Sequence, residues 1–83
     1  MDQAWLDELS EFLRIPSVSA DPAHASDVRV AAEWVRDLVR RAGGDADLQE
    51  TGGAQPLVVG EVRASSGDGA SPTILVYGHF DVQ

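Results

Sequence analysis

Thr73 to Tyr77 read "TILVY", five strand-forming residues in a row with no charged residue among them. A strand with one wetted face alternates apolar and polar side chains, so an unbroken run of this kind belongs where both faces are covered, in the middle of a sheet with helices on each side. No other stretch constrains the fold as strongly. Such a strand needs neighbours on both edges and a helical layer above and below. The 83 residues supply two helical patterns at most, so the sequence implies further helices and strands. With Met1 in place, these are expected on the C-terminal side. A chain of this length amounts to one small domain at most, with a thin core.

The helical patterns are amphipathic. In Asp2 to Arg14, the apolar residues Trp5, Leu6, Leu9, Phe12 and Leu13 recur at helical spacing between acidic and polar residues. Asp2 is placed to cap the first turn, and Pro16 bars Ile15 from helical geometry. A Pro-, Ser- and Ala-rich connection follows, "PSVSADPAHA". The second helix carries Val30, Ala31, Trp34, Val35, Leu38, Val39 and Ala42 on one stripe. Ser26 or Asp27 is positioned to cap it, Arg40 and Arg41 complement its negative end, and Gly43-Gly44 stops it. Trp34 lies in register with the Val and Leu residues, which makes it a packing residue.

Three strand-like pieces come next: Ala46 to Glu50, Leu57 to Arg63, and Thr73 to Tyr77. The separators "TGGAQP" and "ASSGDGASP" have the composition of exposed turns. The expected class is therefore α/β, two helices and then about three strands. Fourteen acidic against six basic residues give a net charge of -8, which repels phosphate backbones and anionic lipid surfaces, so neither nucleic acid nor a membrane is an expected partner. The acidic start lacks the basic and apolar regions of a signal peptide, and the expected location is cytoplasmic. With no cysteine, any metal must be bound through His, Asp or Glu.

The strand-like run ends in "GHFD". Residues two apart on an extended chain project to the same side, so His79 and Asp81 can point together into one crevice. Ligands of open α/β sheets gather beyond the carboxyl ends of strands, and an imidazole that ligates a metal usually gives its other ring N–H to a carboxylate or carbonyl. His-x-Asp alone is common and usually structural. Its place directly after an apolar strand, with Gly78 before it and "DVQ" after it, is what sets this instance apart. His24 reads as an exposed loop residue, Asp45, Asp47 and Glu50 as solvated positions, and Asp68 as a turn residue between glycines.

The string "LVYGHFDVQ" resembles the first metal-site motif of the co-catalytic zinc peptidases, which include carnosine-type dipeptidases, aminoacylases and carboxypeptidase G. Gln83 is most similar to the dipeptidase-like branch, and Phe80 stands where tyrosine is commoner. "LSEFLRIPSVSADP" resembles the family's opening helix and loop, and "AAEWVRDLVRRAGGDADLQE" its second helix and first strand.

The resemblance implies that residues 1–83 are an incomplete N-terminal portion of a three-layer α/β/α catalytic domain. It makes His79 a zinc ligand and Asp81 the catalytic-site aspartate that positions that ligand. It also implies two Zn2+ ions per complete site, a small peptide or N-acyl amino acid as substrate, and amide hydrolysis by a metal-activated water. The remaining ligands and the glutamate base would lie beyond Gln83, as would a domain through which the family forms homodimers. The piece alone is expected to be inactive. Two other readings stay open at this stage. One is a non-catalytic acidic α/β module that binds a protein partner, and the other is a family member that has lost its later ligands.

Overall fold

The computed structural model describes residues 2–53, 55–65 and 69–82. Helix α1 spans Gln3–Leu13, and the Asp2 carboxylate accepts from the Ala4 amide at 3.2 Å, the expected cap. Helix α2 spans Ala25–Arg41. Strands β1, Asp45–Gln49, and β2, Leu57–Glu61, form an antiparallel pair with Asp45 opposite Glu61 and Gln49 opposite Leu57. The architecture is α/β, with two helices followed by a sheet.

The start of α2 differs from the expected cap at Ser26 or Asp27. Asp21 caps a single 3-10 turn over Pro22–His24, accepting from the Ala23 amide at 3.0 Å, and α2 continues from that turn at Ala25. Asp27 thus falls inside the first turn, where its charge favours the positive helix end. The buried stripe is also rotated from the expected one. Val28, Ala31 and Ala32 are buried, whereas Val30 is 48% exposed. Ala31 is buried and Trp34, Val35 and Val39 half-buried, as the stripe requires, while Leu38 is exposed with Val30.

The helix stops as the two glycines require. Gly43 adopts a φ of 96°, its amide bonds to the Arg40 carbonyl at 3.1 Å, and the Gly44 amide bonds to Val39 at 3.0 Å. Gly44 answers a second constraint. A Cβ there would stand 2.8 Å from the Glu61 carbonyl oxygen and 2.9 Å from methyl groups of Val39 and Val62. Gly44→Ala is therefore expected to cost about 1–3 kcal/mol of stability through overpacking, measurable by denaturant titration of the protein that carries this chain.

Strand β1 alternates, with Ala46 buried and Leu48 half-buried toward α2 while Asp45, Asp47 and Gln49 face solvent. Arg40 ties the helix end to this strand, donating to the Ala46 carbonyl at 2.9 Å and to Asp47 at 2.8 Å. Helix α1 is held on the flank of α2. Phe12 stacks on Trp34 at 4.6 Å, and the Trp34 indole donates to Glu11 at 3.3 Å. Trp34 packs as expected, though it is half-buried rather than enclosed.

The other side of the sheet is bare. Leu57 and Val59 are 55% and 57% exposed, and the molecule is a slab only 16 Å thick. Its radius of gyration is 14.8 Å, against about 12 Å for a compact chain of this length. Its accessible surface is 6420 Å², against about 4800 Å² for a compact protein of this mass.

The expected third strand is not formed. Thr73 to Tyr77 carry no ladder in the described residues, and Ile74, Leu75, Val76 and Tyr77 are 81–92% exposed. Strand propensity measures how well a side chain fits a pleated surface among neighbours, and this stretch has no paired strand on either edge. An open cleft of about 1850 Å³ lies between it, β2 and the helices, lined by residues such as Phe12, Trp34, Leu38 and Val59.

Candidate functional site

The loop after α1 and the end of the described chain come together. Ser17 is 2% exposed, and its carbonyl accepts from the Val82 amide at 2.9 Å. Val18 and Val82 form an isolated parallel bridge. Within the loop, the Ser17 amide bonds to Ile15 at 2.7 Å, Val18 to Pro16 at 2.8 Å and Asp21 to Val18 at 3.3 Å, so its backbone is internally held.

His79 and Asp81 meet as their spacing suggests. The His79 Nδ1 donates to Asp81 Oδ1 at 3.0 Å. A carboxylate only accepts, so a neutral ring in this contact carries its proton on Nδ1 and leaves the Nε2 lone pair free. The His79 side chain is 76% exposed, and that of Asp81 is 29% exposed. The other carboxylate oxygen, Oδ2, accepts from the Ser19 hydroxyl at 2.5 Å.

These bonds hold the Asp81 carboxyl below its ordinary value of 3.8. The Ser19 hydrogen bond is the largest cause, with smaller help from the residue's own amide and from His79, against a desolvation effect that raises it. The sign follows. A carboxyl depressed in the folded state stabilises above its ordinary value, and that contribution fades as pH falls through the lower folded one. Protection of the Val82 amide against hydrogen exchange is expected to fall slightly, without being lost, on acidification in that window and to be flat from pH 5 upward.

The other acidic and histidine positions lie elsewhere. His24 is half-buried at the start of α2 rather than in an exposed loop, and its Nδ1 donates to Asp27 at 2.9 Å. Asp47 pairs with Arg40, and Glu50 with Arg29. Asp68 and Gln83 fall outside the described residues. Among the described residues, no group of three or more His, Asp or Glu side chains is gathered to hold a metal ion. No described helix is long and apolar enough to cross a membrane.

No local sequence signal marks Ser19 or Ser17 for these contacts. Their partners lie more than sixty residues away in the chain, beyond the reach of any local pattern.

No protein-family model matches the chain, and no solved structure matches it. A cysteinylglycine-S-conjugate dipeptidase of Corynebacterium striatum is similar, 36% identical over 75 residues that make up 90% of this chain. The match takes in 16% of that relative, so the chain spans about a sixth of the length of the dipeptidase it matches.

Proposed function

We propose that residues 1–83 form the opening part of the catalytic domain of a zinc-dependent dipeptidase or related amidohydrolase, with His79 as a metal ligand and Asp81 as its orienting partner. One observation carries the reading. The Asp81 carboxylate accepts a hydrogen bond from the Nδ1–H of His79, so the Nε2 of the exposed ring is left with the lone pair that ligation requires. The similarity to a dipeptidase, the exposed Leu57 and Val59 and the exposed "TILVY" run support it.

An imidazole with a carboxylate behind it suits zinc, and this pair supplies one ligand of a site that normally takes three or more. Zinc, when bound, would supply a Lewis acid and a water of lowered pKa for attack on an amide carbonyl. His79 offers the nitrogen, and Asp81 fixes the tautomer and sharpens its basicity. The general base and the remaining ligands would come from sequence outside these residues. The substrate would be a dipeptide or an N-acyl amino acid, with S-conjugates of cysteinylglycine the first candidates because the similar protein is named for them.

The test uses the full-length protein. Metal analysis is expected to find about two zinc ions per chain, and a chelator should abolish hydrolysis of a cysteinylglycine S-conjugate until zinc is restored. Hydrolysis that persists after zinc is stripped would overturn the proposal. The 83-residue chain alone is expected to show no tight stoichiometric zinc binding by calorimetry, because a single histidine and its partner do not make a site.

A further inference from the structure

We propose that Ser19 is a positioning residue for the metal ligand: its hydroxyl holds one oxygen of Asp81 so that the other is presented to the Nδ1–H of His79. The proposal deepens the zinc-site reading above and rests on it for its functional meaning. His79 stands on an extended segment with three-quarters of its side chain in solvent, and nothing on that segment alone fixes the ring. A carboxylate two residues on can face the ring in several rotamers, and each idle rotamer weakens the ligand it should orient.

Ser19 removes that freedom from outside the segment. Its Oγ donates to Asp81 Oδ2 at 2.5 Å, leaving Oδ1 for His79 at 3.0 Å, so the two carboxylate oxygens have separate partners. The serine is itself anchored. The Ser17 carbonyl holds the Val82 amide, Val18 is bridged to Val82, and Ser17 is buried, so the loop bearing Ser19 is fixed to the backbone on the far side of Asp81. Backbone bonds flank a side-chain relay that runs from serine to aspartate to imidazole. Removing the hydroxyl leaves the backbone clamp in place and frees only the carboxylate.

The test compares Ser19→Ala and Ser19→Thr in the full-length protein, with two readouts besides turnover. Zinc affinity, measured by competition with a chromophoric chelator, is expected to fall about threefold to tenfold in Ser19→Ala. That is less than the 10–100-fold typical of losing a ligand's direct partner, because the serine acts one step further out. In the metal-free protein, the ring nitrogens of 15N-labelled His79 should report a single Nδ1–H tautomer in the parent and a mixture in Ser19→Ala. Ser19→Thr keeps the hydroxyl at an exposed position and should restore both. In an Asp81→Asn background, Ser19→Ala should add little, as a shared pathway requires.

Unchanged zinc affinity and tautomer in a folded Ser19→Ala protein would overturn the proposal, as would a folded Ser19→Thr that fails equally. Absence of zinc from the parent would instead defeat the proposed function. The tautomer comparison, made without metal, would still decide whether Ser19 orients the pair.

Discussion

Replacing His79 by alanine in the full-length protein is expected to lower amide hydrolysis about a thousandfold or more. A bound metal supplies several kcal/mol of transition-state stabilisation, and about 1.4 kcal/mol is a factor of ten in rate. Among the described residues, the side chain makes little packing contribution. It is 76% exposed, and among the described residues its hydrogen-bond partner is Asp81. Circular dichroism of the metal-free parent and variant would tell a loss of fold from the loss of the ligand.

Asp81→Ala should be milder, about 10–100-fold in zinc affinity, because it would loosen the proposed ligand without removing it. Asp81→Asn should be milder again. An asparagine can turn its carbonyl to the His79 N–H and its amide to the Ser19 oxygen, which keeps the geometry and loses the charge. The order His79→Ala, Asp81→Ala, Asp81→Asn, from most to least damaging, is the signature of an oriented ligand. A His79→Ala protein that kept full zinc content and full turnover would remove His79 from the site altogether.

Local signals in the sequence were enough for the elements that local chemistry decides. Both helices follow from the spacing of apolar residues, from Asp2 as a cap and from the glycine pair, where Gly43 has a positive φ and Gly44 has no room for a side chain. The β1–β2 pair falls within a residue or two of its expected ends. The expectations that moved were those decided by neighbours. Asp21 started a 3-10 turn that drew the beginning of α2 upstream of Ser26, and burial of Val28 in place of Val30 depended on which side of the helix met the sheet. His79 and Asp81 were legible because two residues on an extended chain must share a side. Ser19 was not, since its contact closes a loop of sixty-two residues and leaves no periodic trace.

Leu75→Asp is expected to act in opposite directions in the isolated chain and in the full-length protein. In the isolated chain, Leu75 is 92% exposed, within a run whose backbone is unpaired and whose side chains include Ile74, Val76 and Tyr77, all above 80% exposed. An uncharged, strand-prone segment in that state is a template for pairing with another copy. The net charge of -8 opposes such contact at low ionic strength. Salt shortens the screening length from about 10 Å at 0.1 M to about 3 Å at 1 M, so association should rise with salt. Leu75→Asp should suppress it, as sedimentation velocity would show, with little change in the stability of the rest.

In the full-length protein, the non-alternating pattern of "TILVY" leads us to expect that Leu75 is covered, and the same substitution should then be severe. Losing a buried leucine side chain removes about 1.5–3 kcal/mol of transfer energy, and an unpaired carboxylate in its place adds a desolvation cost of similar size or larger. Against a total stability of about 5–15 kcal/mol, that is enough to collapse the folded yield. Denaturant melts of the two full-length proteins would measure it. If Leu75→Asp left the full-length protein as stable as the parent, residues 73–77 would be a surface segment in both settings. The expectation that His79 and Asp81 follow a covered strand in the full-length protein would then have to be abandoned.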